Sequence, residues 1–325
     1  MDRKIRIGIV GYGNLGKGAE LAVCQNPDME LVAIFSRRKL DKTPNGVPIV
    51  SIDDRAEYKD AIDVMLLCGG SATDLEEQGP QFASLFHTVD SFDTHARIPE
   101  YFTAMDKAAK GAGKVAVISV GWDPGLFSLN RLLAGSVMPQ GVDYTFWGKG
   151  VSQGHSDALR RISGVKNAKQ YTIPKQELID AVRSGQSISA PGNEAHIRDC
   201  YVVAEPGADL EEIEKLIKTM PHYFVGYETN VTFISEKEFA ANHSGIPHGG
   251  FVFRTGQTSP GVNHVLEFGL KLDSNPEFTA SVLTAYARAA FRLAHHTYAG
   301  ASTVFDIPFG WLSPKSAEEL RKELL

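Results

Sequence analysis

The chain has 325 residues, too long for one ordinary domain and long enough for two that each bury a core. Its 33 basic and 39 acidic residues leave a formal net charge of −6, with no Lys/Arg-rich block to follow a phosphate backbone, so nucleic acid is not expected as a partner. No run of roughly 18 apolar residues occurs, and the apolar stretch after the N-terminus leads into a glycine turn rather than a cleavage site, so neither a membrane span nor a signal peptide is expected.

Cys24, Cys68 and Cys200 are odd in number, far apart and without CxxC spacing. That pattern argues against a disulfide framework and a structural zinc site and fits a reducing cytosol, with each cysteine read as a small buried apolar residue.

Ile5 to Val10 is a continuous β-branched and apolar run, as expected of a strand covered on both faces in a parallel sheet. A glycine turn, a helix from about 15 to 25, the turn Asn26-Pro27-Asp28 and a second apolar run at 30 to 35 complete a βαβ unit. Further runs at 63 to 68, 87 to 89 and 114 to 120 alternate with helical segments at about 74 to 86 and 98 to 111, the pattern of an open α/β sheet. After Trp122-Asp123-Pro124-Gly125 the pattern changes: a helix over 126 to 137 precedes strands at 142 to 147, 199 to 204 and 227 to 234, which suggests a separate α+β unit. Residues 276 to 298 form a long helix, with Phe278, Val282, Ala285, Ala289 and Leu293 at spacings of three and four and Pro276 in its first turn. The fold expected is α/β: a Rossmann-type dinucleotide-binding domain over 1–123, with 276–325 packing back on it, and a second α+β domain over 124–275 for substrate and dimerisation.

Gly11-Tyr12-Gly13-Asn14-Leu15-Gly16 matches G-x-G-x-x-G between a predicted strand and a predicted helix. Gly11 permits the tight turn, Gly13 lets the backbone approach a pyrophosphate, Gly16 allows close helix-to-strand packing, and the helix N-terminus supplies N–H donors. Some 20 residues further on, where an NAD site carries a carboxylate for the ribose, the chain has Ser36-Arg37-Arg38. Guanidinium groups can chelate a 2′-phosphate and the serine can add a third donor; at roughly 1.5–3 kcal/mol per charge-assisted bond, NADP is favoured by at least tenfold. The alternative is two solvated surface arginines. Cys68-Gly69-Gly70-Ser71 ends the next strand, where small residues let a cofactor lie close to the sheet edge.

Asp93 in Ser91-Phe92-Asp93-Thr94 and Asp123 in Gly121-Trp122-Asp123-Pro124 follow later strands of the same sheet and would face the nicotinamide end. Taken alone, Asp123 is equally well read as a turn former. The segments CGGSATD (68–74), SFDTHARIP (91–99), GWDPGLFSLNR (121–131), FWGKGVSQGHSDALRRI (146–162), IPHGG (246–250) and NPEFTA (275–280) resemble the meso-diaminopimelate dehydrogenase family over nearly the whole chain.

That resemblance implies an oxidoreductase acting on CH–NH2: reversible, NADP-dependent oxidative deamination of meso-2,6-diaminopimelate at its D-centre to L-2-amino-6-oxopimelate and ammonia, in lysine biosynthesis, by a cytoplasmic homodimer. It implies cofactor contacts at Tyr12, Gly13, Asn14, Leu15, Ser36, Arg37, Arg38, Cys68, Gly69, Gly70, Ser71, Ser91, Phe92, Gly121, Trp122 and Pro124. Substrate contacts fall on Asp93, Asp123, Trp147, Gln153, Gly154, Thr172, Arg198, His248 and Asn275. An amine loses hydride from its carbon only when its nitrogen lone pair is free, yet with a pKa of about 8–10 it is mostly ammonium at neutral pH. Asp93 and Asp123 can hold that nitrogen, aim its carbon at the nicotinamide and help remove a proton; either carboxylate, or solvent, could be the base. Arg198, Thr172, His248 and Asn275 are expected to read the distal amino-acid end, and Trp147 to wall the methylene chain.

His155-Ser156-Asp157 has the letters of a hydrolase triad but no G-x-S-x-G elbow, and His243, His248, His295 and His296 lack metal-site spacing, so no metal is expected. Lys149, Glu211-Glu212 and Glu318-Glu319 are assigned no role. Competing readings are another NADP-dependent two-domain enzyme of the lysine/aspartate pathway, such as a homoserine dehydrogenase or dihydrodipicolinate reductase relative, a broader D-amino acid dehydrogenase, or a non-catalytic NADP sensor. The 152–162 block speaks against the first, and the two aspartates against the last.

Overall fold

The computed structural model describes residues 3–38, 42–189, 191–221, 223–296 and 298–325. The chain divides into two units, Met1–Leu129 with Pro276–Leu325, and Asn130–Asn275. In the first, strands β1 (Ile5–Val10), β2 (Met29–Ser36), β3 (Ile49–Ser51), β4 (Val64–Leu67), β5 (His87–Asp90) and β6 (Val115–Val117) precede the second unit. That unit holds β7 (Gly141–Trp147), β8 (Gly150–Val151), β9 (Val165–Pro174), β10 (His196–Ala204), β11 (Glu228–Phe233), β12 (His248–Ser259) and β13 (Val262–Leu272); β14 (Gly300–Ser302) returns to the first.

The first sheet runs β14-β6-β5-β4-β1-β2-β3 with every pairing parallel, so β1 and β4 flank the point where strand order reverses, the place where such sheets bind ligands. Its strands are apolar on both faces because both are covered. Ile5, Ile7 and Ile9 pack with Ala19 and Val23 and with Leu283, Ala287 and Phe291 of the C-terminal helix, Asn275–Ala294. Val10, Phe35, Met65 and Leu67 pack on the other side with Phe82, Tyr101 and Met105. Arg288 anchors that long helix: the side chain is 1% exposed, and it donates to Asp28 at 2.7 Å, Asn26 at 2.6 Å and the Leu312 carbonyl at 2.7 Å.

The second unit contains a β11-β10-β9-β8 sheet and an antiparallel β13-β12-β7 sheet. Cys200, Val202 and Ala168 of the former pack under Leu159, Ile213 and Ile217; Phe146 and Phe253 of the latter pack under Ile179 and Val182. β8, β9, β12 and β13 go beyond the three strands expected here.

Several expectations are corrected in detail. The segment read as a helix over 74–86 opens as one wide turn, Ser71–Leu75, and its α-helix is Glu76–Ala83. The run 114–120 is a strand only to Val117, because Ser119 takes a left-handed φ of 57°. The long helix stops at Ala294 rather than 298. Cys24 is exposed, whereas Cys68 and Cys200 are buried and their thiols are pushed up to about 12 by burial. No described helix is long and apolar enough to cross a membrane.

Candidate functional site

The glycine turn links β1 to the helix Asn14–Cys24, and its three glycines do different work. Gly11 has φ 88°, and a side chain there would approach the Cys68 carbonyl to 3.2 Å. At Gly16 a Cβ would stand 2.0 Å from the Gly11 carbonyl, so only glycine lets the helix pack so closely. A Cβ at Gly13 would meet nothing within 4 Å, which leaves the turn open on the side where a pyrophosphate approaches. The helix N-terminus has no side-chain cap, and exposed Asn14 and half-buried Leu15 occupy its first turn, so its N–H groups face outward as anion donors. The Tyr12 ring turns inward: its hydroxyl donates to buried Glu20 at 2.6 Å, and burial with that contact pushes it up to about 12. Only the Tyr12 main chain borders the turn.

Ser36 ends β2 with its hydroxyl accepting from the Arg38 N–H at 3.0 Å. Arg37 reaches across to Asp74 at 2.7 Å, and Arg38 donates to the Tyr12 carbonyl. Both arginines are solvent-exposed at the rim of the turn, each tied there by one contact. Asp74 also accepts from the Gly70 N–H at 3.0 Å, which fixes the Cys68-Gly69-Gly70-Ser71 bend beside β1.

Asp93 and Asp123 lie on loops after the adjacent strands β5 and β6. The Asp93 N–H donates to the Ser71 hydroxyl at 3.0 Å, joining two of the expected cofactor segments, and its carboxylate is exposed. Ser91 is half-buried beside it. Phe92 is fully buried and stacks on Tyr101 at 4.1 Å, so its ring belongs to the core and only its main chain faces the site. Gly121 and Gly125 close the second loop tightly: a Cβ at Gly125 would come within 1.9 Å of the Gly121 carbonyl. Trp122 packs edge-on to Phe127, leaving Asp123 and Pro124 half-buried at the tip.

In the second unit, Arg198, Thr172 and Gly150 are register neighbours across β10, β9 and β8. Arg198 donates to the Thr172 hydroxyl at 2.5 Å, and its guanidinium lies 4.1 Å from the centre of the Tyr227 ring. It is 8% exposed, its buried Nε has no partner, and burial holds its pKa below the ordinary value. His248 fills the space that a side chain at Gly150 would occupy, 2.4 Å from that Cβ position, and so stands next to Thr172. The Trp147 N–H donates to His196 Nε2 at 2.9 Å, with the indole 5.6 Å from that imidazole. The His196 Nδ1–H in turn goes to the Gly192 carbonyl at 2.8 Å. Gln153 and Gly154 are exposed in the first turn of the helix Gln153–Arg160, and Asn275 is tied by its N–H to the Ile246 carbonyl at 2.9 Å.

One unit holds a buried arginine with an unpartnered Nε beside Thr172, and the other holds a dinucleotide turn. Residues 121–274 match the family model for the diaminopimelic acid dehydrogenase C-terminal domain. Over 324 residues the chain is 64% identical to a meso-diaminopimelate D-dehydrogenase from Ureibacillus thermosphaericus, covering 99% of each. The chain belongs to the meso-diaminopimelate D-dehydrogenase family. Among solved structures, it is 48% identical to the Corynebacterium glutamicum DAP dehydrogenase in complex with DAP, with a TM-score of 0.92 over 99% of each chain. It is 46% identical to an engineered D-amino acid dehydrogenase bound to NADP+, with a TM-score of 0.87 over 99% of this chain and 100% of that one.

For a diaminopimelate dehydrogenase, sequence reasoning missed His196 and Tyr227. His196 orients Trp147, and Tyr227 supplies the face under Arg198. The alternation His196, Arg198, Cys200 along one strand face was a usable signal; Tyr227, on the strand-entry turn beside β10, had none. The letters His155-Ser156-Asp157 do not converge: Ser156 donates to the Ser152 carbonyl at 2.7 Å and Asp157 pairs with Arg160.

Proposed function

We propose that this chain catalyses the reversible, NADP-dependent oxidative deamination of meso-2,6-diaminopimelate at its D-configured carbon, a step of lysine biosynthesis. The observation that carries the substrate assignment is Arg198, a buried guanidinium with an unpartnered Nε and no carboxylate among its described partners. A charge so placed is stable chiefly when a ligand anion completes it, and the distal carboxylate of diaminopimelate is that anion. Thr172 adds its hydroxyl, His248 and Asn275 are assigned to the same end, and Trp147, Gln153 and Gly154 line the methylene chain.

The glycine turn, the Cys68 to Ser71 bend and the Gly121 to Pro124 loop fit a dinucleotide, and Ser36, Arg37 and Arg38 fit a 2′-phosphate. When bound, NADP accepts the hydride that leaves the substrate carbon. Asp93 and Asp123 hold the reacting nitrogen as a free amine and take up its proton. The carbon–nitrogen bond becomes an imine as hydride departs; water then adds to that carbon, and ammonia leaves with the proton the carboxylates return.

The chain acts as a homodimer. Leu132, Leu133 and Val137 on one helix are 51%, 58% and 55% exposed, apolar side chains suited to contact with a second copy. Three free cysteines support a cytoplasmic location.

The test supplies meso-, LL- and DD-diaminopimelate and simple D-amino acids with NADP and with NAD, following nicotinamide absorbance. Rapid turnover of the meso isomer with NADP is expected. Equal or faster turnover of simple D-amino acids would replace this reading with a broader D-amino acid dehydrogenase.

A further inference from the structure

One carboxylate outside the assigned site gathers donors from both reacting loops. Asp90 is the last residue of β5 and is fully buried, at 0% exposure. Its Oδ1 accepts the N–H of Phe92 at 3.0 Å and the N–H of Ser119 at 3.1 Å, and its Oδ2 accepts the Tyr101 hydroxyl at 2.9 Å. Phe92 adjoins Asp93, and Ser119 begins the loop that carries Asp123. The Asp90 carbonyl accepts from Val120 at 2.8 Å, so main chain and side chain of one residue both grip the second loop.

The surroundings are shaped around this contact. β5 and β6 are in register only at Thr88 with Ala116 and Val89 with Val117, so beyond those pairs Asp90 joins the two loops. Ser119 adopts a left-handed φ of 57°, a conformation unusual for serine, which aims its N–H at Asp90. Tyr101 stacks on Phe92 with ring planes 13° apart, and its hydroxyl occupies space that a side chain at Gly79 would take, 2.4 Å from that Cβ position. Burial pushes the Asp90 carboxyl up to about 6, and its partners include no cation. An apolar residue here would leave the Phe92 and Ser119 N–H groups and the Tyr101 hydroxyl without their acceptor, so the carboxylate serves to join the loops rather than to fill the core.

We propose that Asp90, steadied by Tyr101, is a positioning residue that fixes the Asp93 and Asp123 loops relative to each other and thereby sets the grip on the reacting amine. This rests on the reading of Asp93 and Asp123 as holders of that nitrogen.

The experiment uses the full-length enzyme with Asp90→Asn, Asp90→Ala, Tyr101→Phe, and Asp90→Ala combined with Asp123→Asn. It measures kcat, the KM for diaminopimelate, NADPH affinity by fluorescence, and Tm. Asparagine keeps one oxygen for the two N–H groups and can turn its amide toward the phenol, so it should keep kcat within about threefold of the parent. Alanine should lower kcat more than about tenfold with a smaller loss of NADPH affinity, and the double variant should fall by less than the product of the two single losses, because Asp90 acts in part through the Asp123 loop. A folded Asp90→Ala enzyme with undiminished kcat, an additive loss in the double variant, or an equal loss of NADPH affinity would overturn the proposal. If Asp90→Ala does not fold, Tyr101→Phe decides: reduced kcat at unchanged NADPH affinity supports the brace, and unchanged kcat overturns it. Near-normal turnover of both Asp93→Asn and Asp123→Asn would instead remove the underlying reading, whatever the Asp90 variants do.

Discussion

Arg198→Met should separate recognition of the substrate from stability of the fold. The guanidinium is 8% exposed, donates to Thr172 at 2.5 Å, lies 4.1 Å from the Tyr227 ring centre, and leaves Nε without a partner. Two charge-assisted bonds to a substrate carboxylate, at about 1.5–3 kcal/mol each, amount to about 3–6 kcal/mol, or roughly 10²–10⁴ in KM for diaminopimelate. For the fold the ledger differs. Methionine forgoes a stacked cation worth about 2 kcal/mol and one bond to Thr172, but it also removes a buried charge whose desolvation costs several kcal/mol. The net effect should lie within about 2 kcal/mol of zero, so Tm moves by a few degrees at most and in either direction. NADPH affinity should not change, since the dinucleotide turn is formed by residues 5–24 of the other unit. Initial rates, NADPH fluorescence titration and thermal melting check the three expectations. A KM rise below about tenfold, or a loss of NADPH affinity in step with KM, would refute the anion-pocket reasoning.

Three further outcomes are expected. Replacing both Arg37 and Arg38 with alanine should lower the NADP-over-NAD preference in kcat/KM by at least about tenfold, and an unchanged ratio would leave those arginines as surface groups bonded to Asp74 and Tyr12. Gly13→Ala, where a Cβ meets no protein atom within 4 Å, should leave Tm unaltered but weaken NADPH binding, whereas Gly16→Ala, 2.0 Å from the Gly11 carbonyl, should lower Tm as well. The stability of the enzyme should respond to pH with opposing slopes from one strand. His87 accepts the Val115 N–H at 3.0 Å, and burial, with Lys114 nearby, lowers its pKa to about 4; the unfolded chain binds its proton first, so stability falls as pH drops from about 6.5 to 4. Asp90, raised to about 6 by burial, holds its proton more tightly when folded and loses stability as pH rises from about 4 to 6. Urea midpoints of Asp90→Asn across that range should therefore climb with pH more steeply than those of the parent, and parallel curves would contradict the assignment.

The parallel sheet was legible because its strands are continuous apolar runs and its turns are punctuated by glycine. The second unit was less so. β9 reads Val165-Lys166-Asn167-Ala168-Lys169-Gln170, and its lysines are there for contacts with other elements: Lys169 donates to the Gly245 carbonyl at 2.7 Å, and Lys166 pairs with Glu236 at 2.5 Å. The β12–β13 hairpin turns at Pro260-Gly261, with Gly261 at φ 82°, a signal present in the sequence but obscured by glycines inside β12 and by the exposed polar face of β13.

For the candidate site the division follows physical cause. Glycines announce themselves because the backbone geometry admits little else, and Ser36-Arg37-Arg38 because its spacing from the turn is fixed by one βαβ unit. The orientation of Tyr12 and Phe92 could not be read that way: motif position places their main chains, while their rings are claimed by Glu20 and Tyr101. Asp90 shows the same limit from the other side. In sequence it is an acidic residue at the end of a short strand, indistinguishable from a solvated turn former. Only when β6 is laid beside β5 does the Ser119 N–H reach it, and only the absence of a side chain at Gly79 lets Tyr101 close the third bond. Motif-borne site candidates are therefore legible from local patterns, whereas contacts such as those of Asp90 arise from pairings across the sheet and required the fold to be seen.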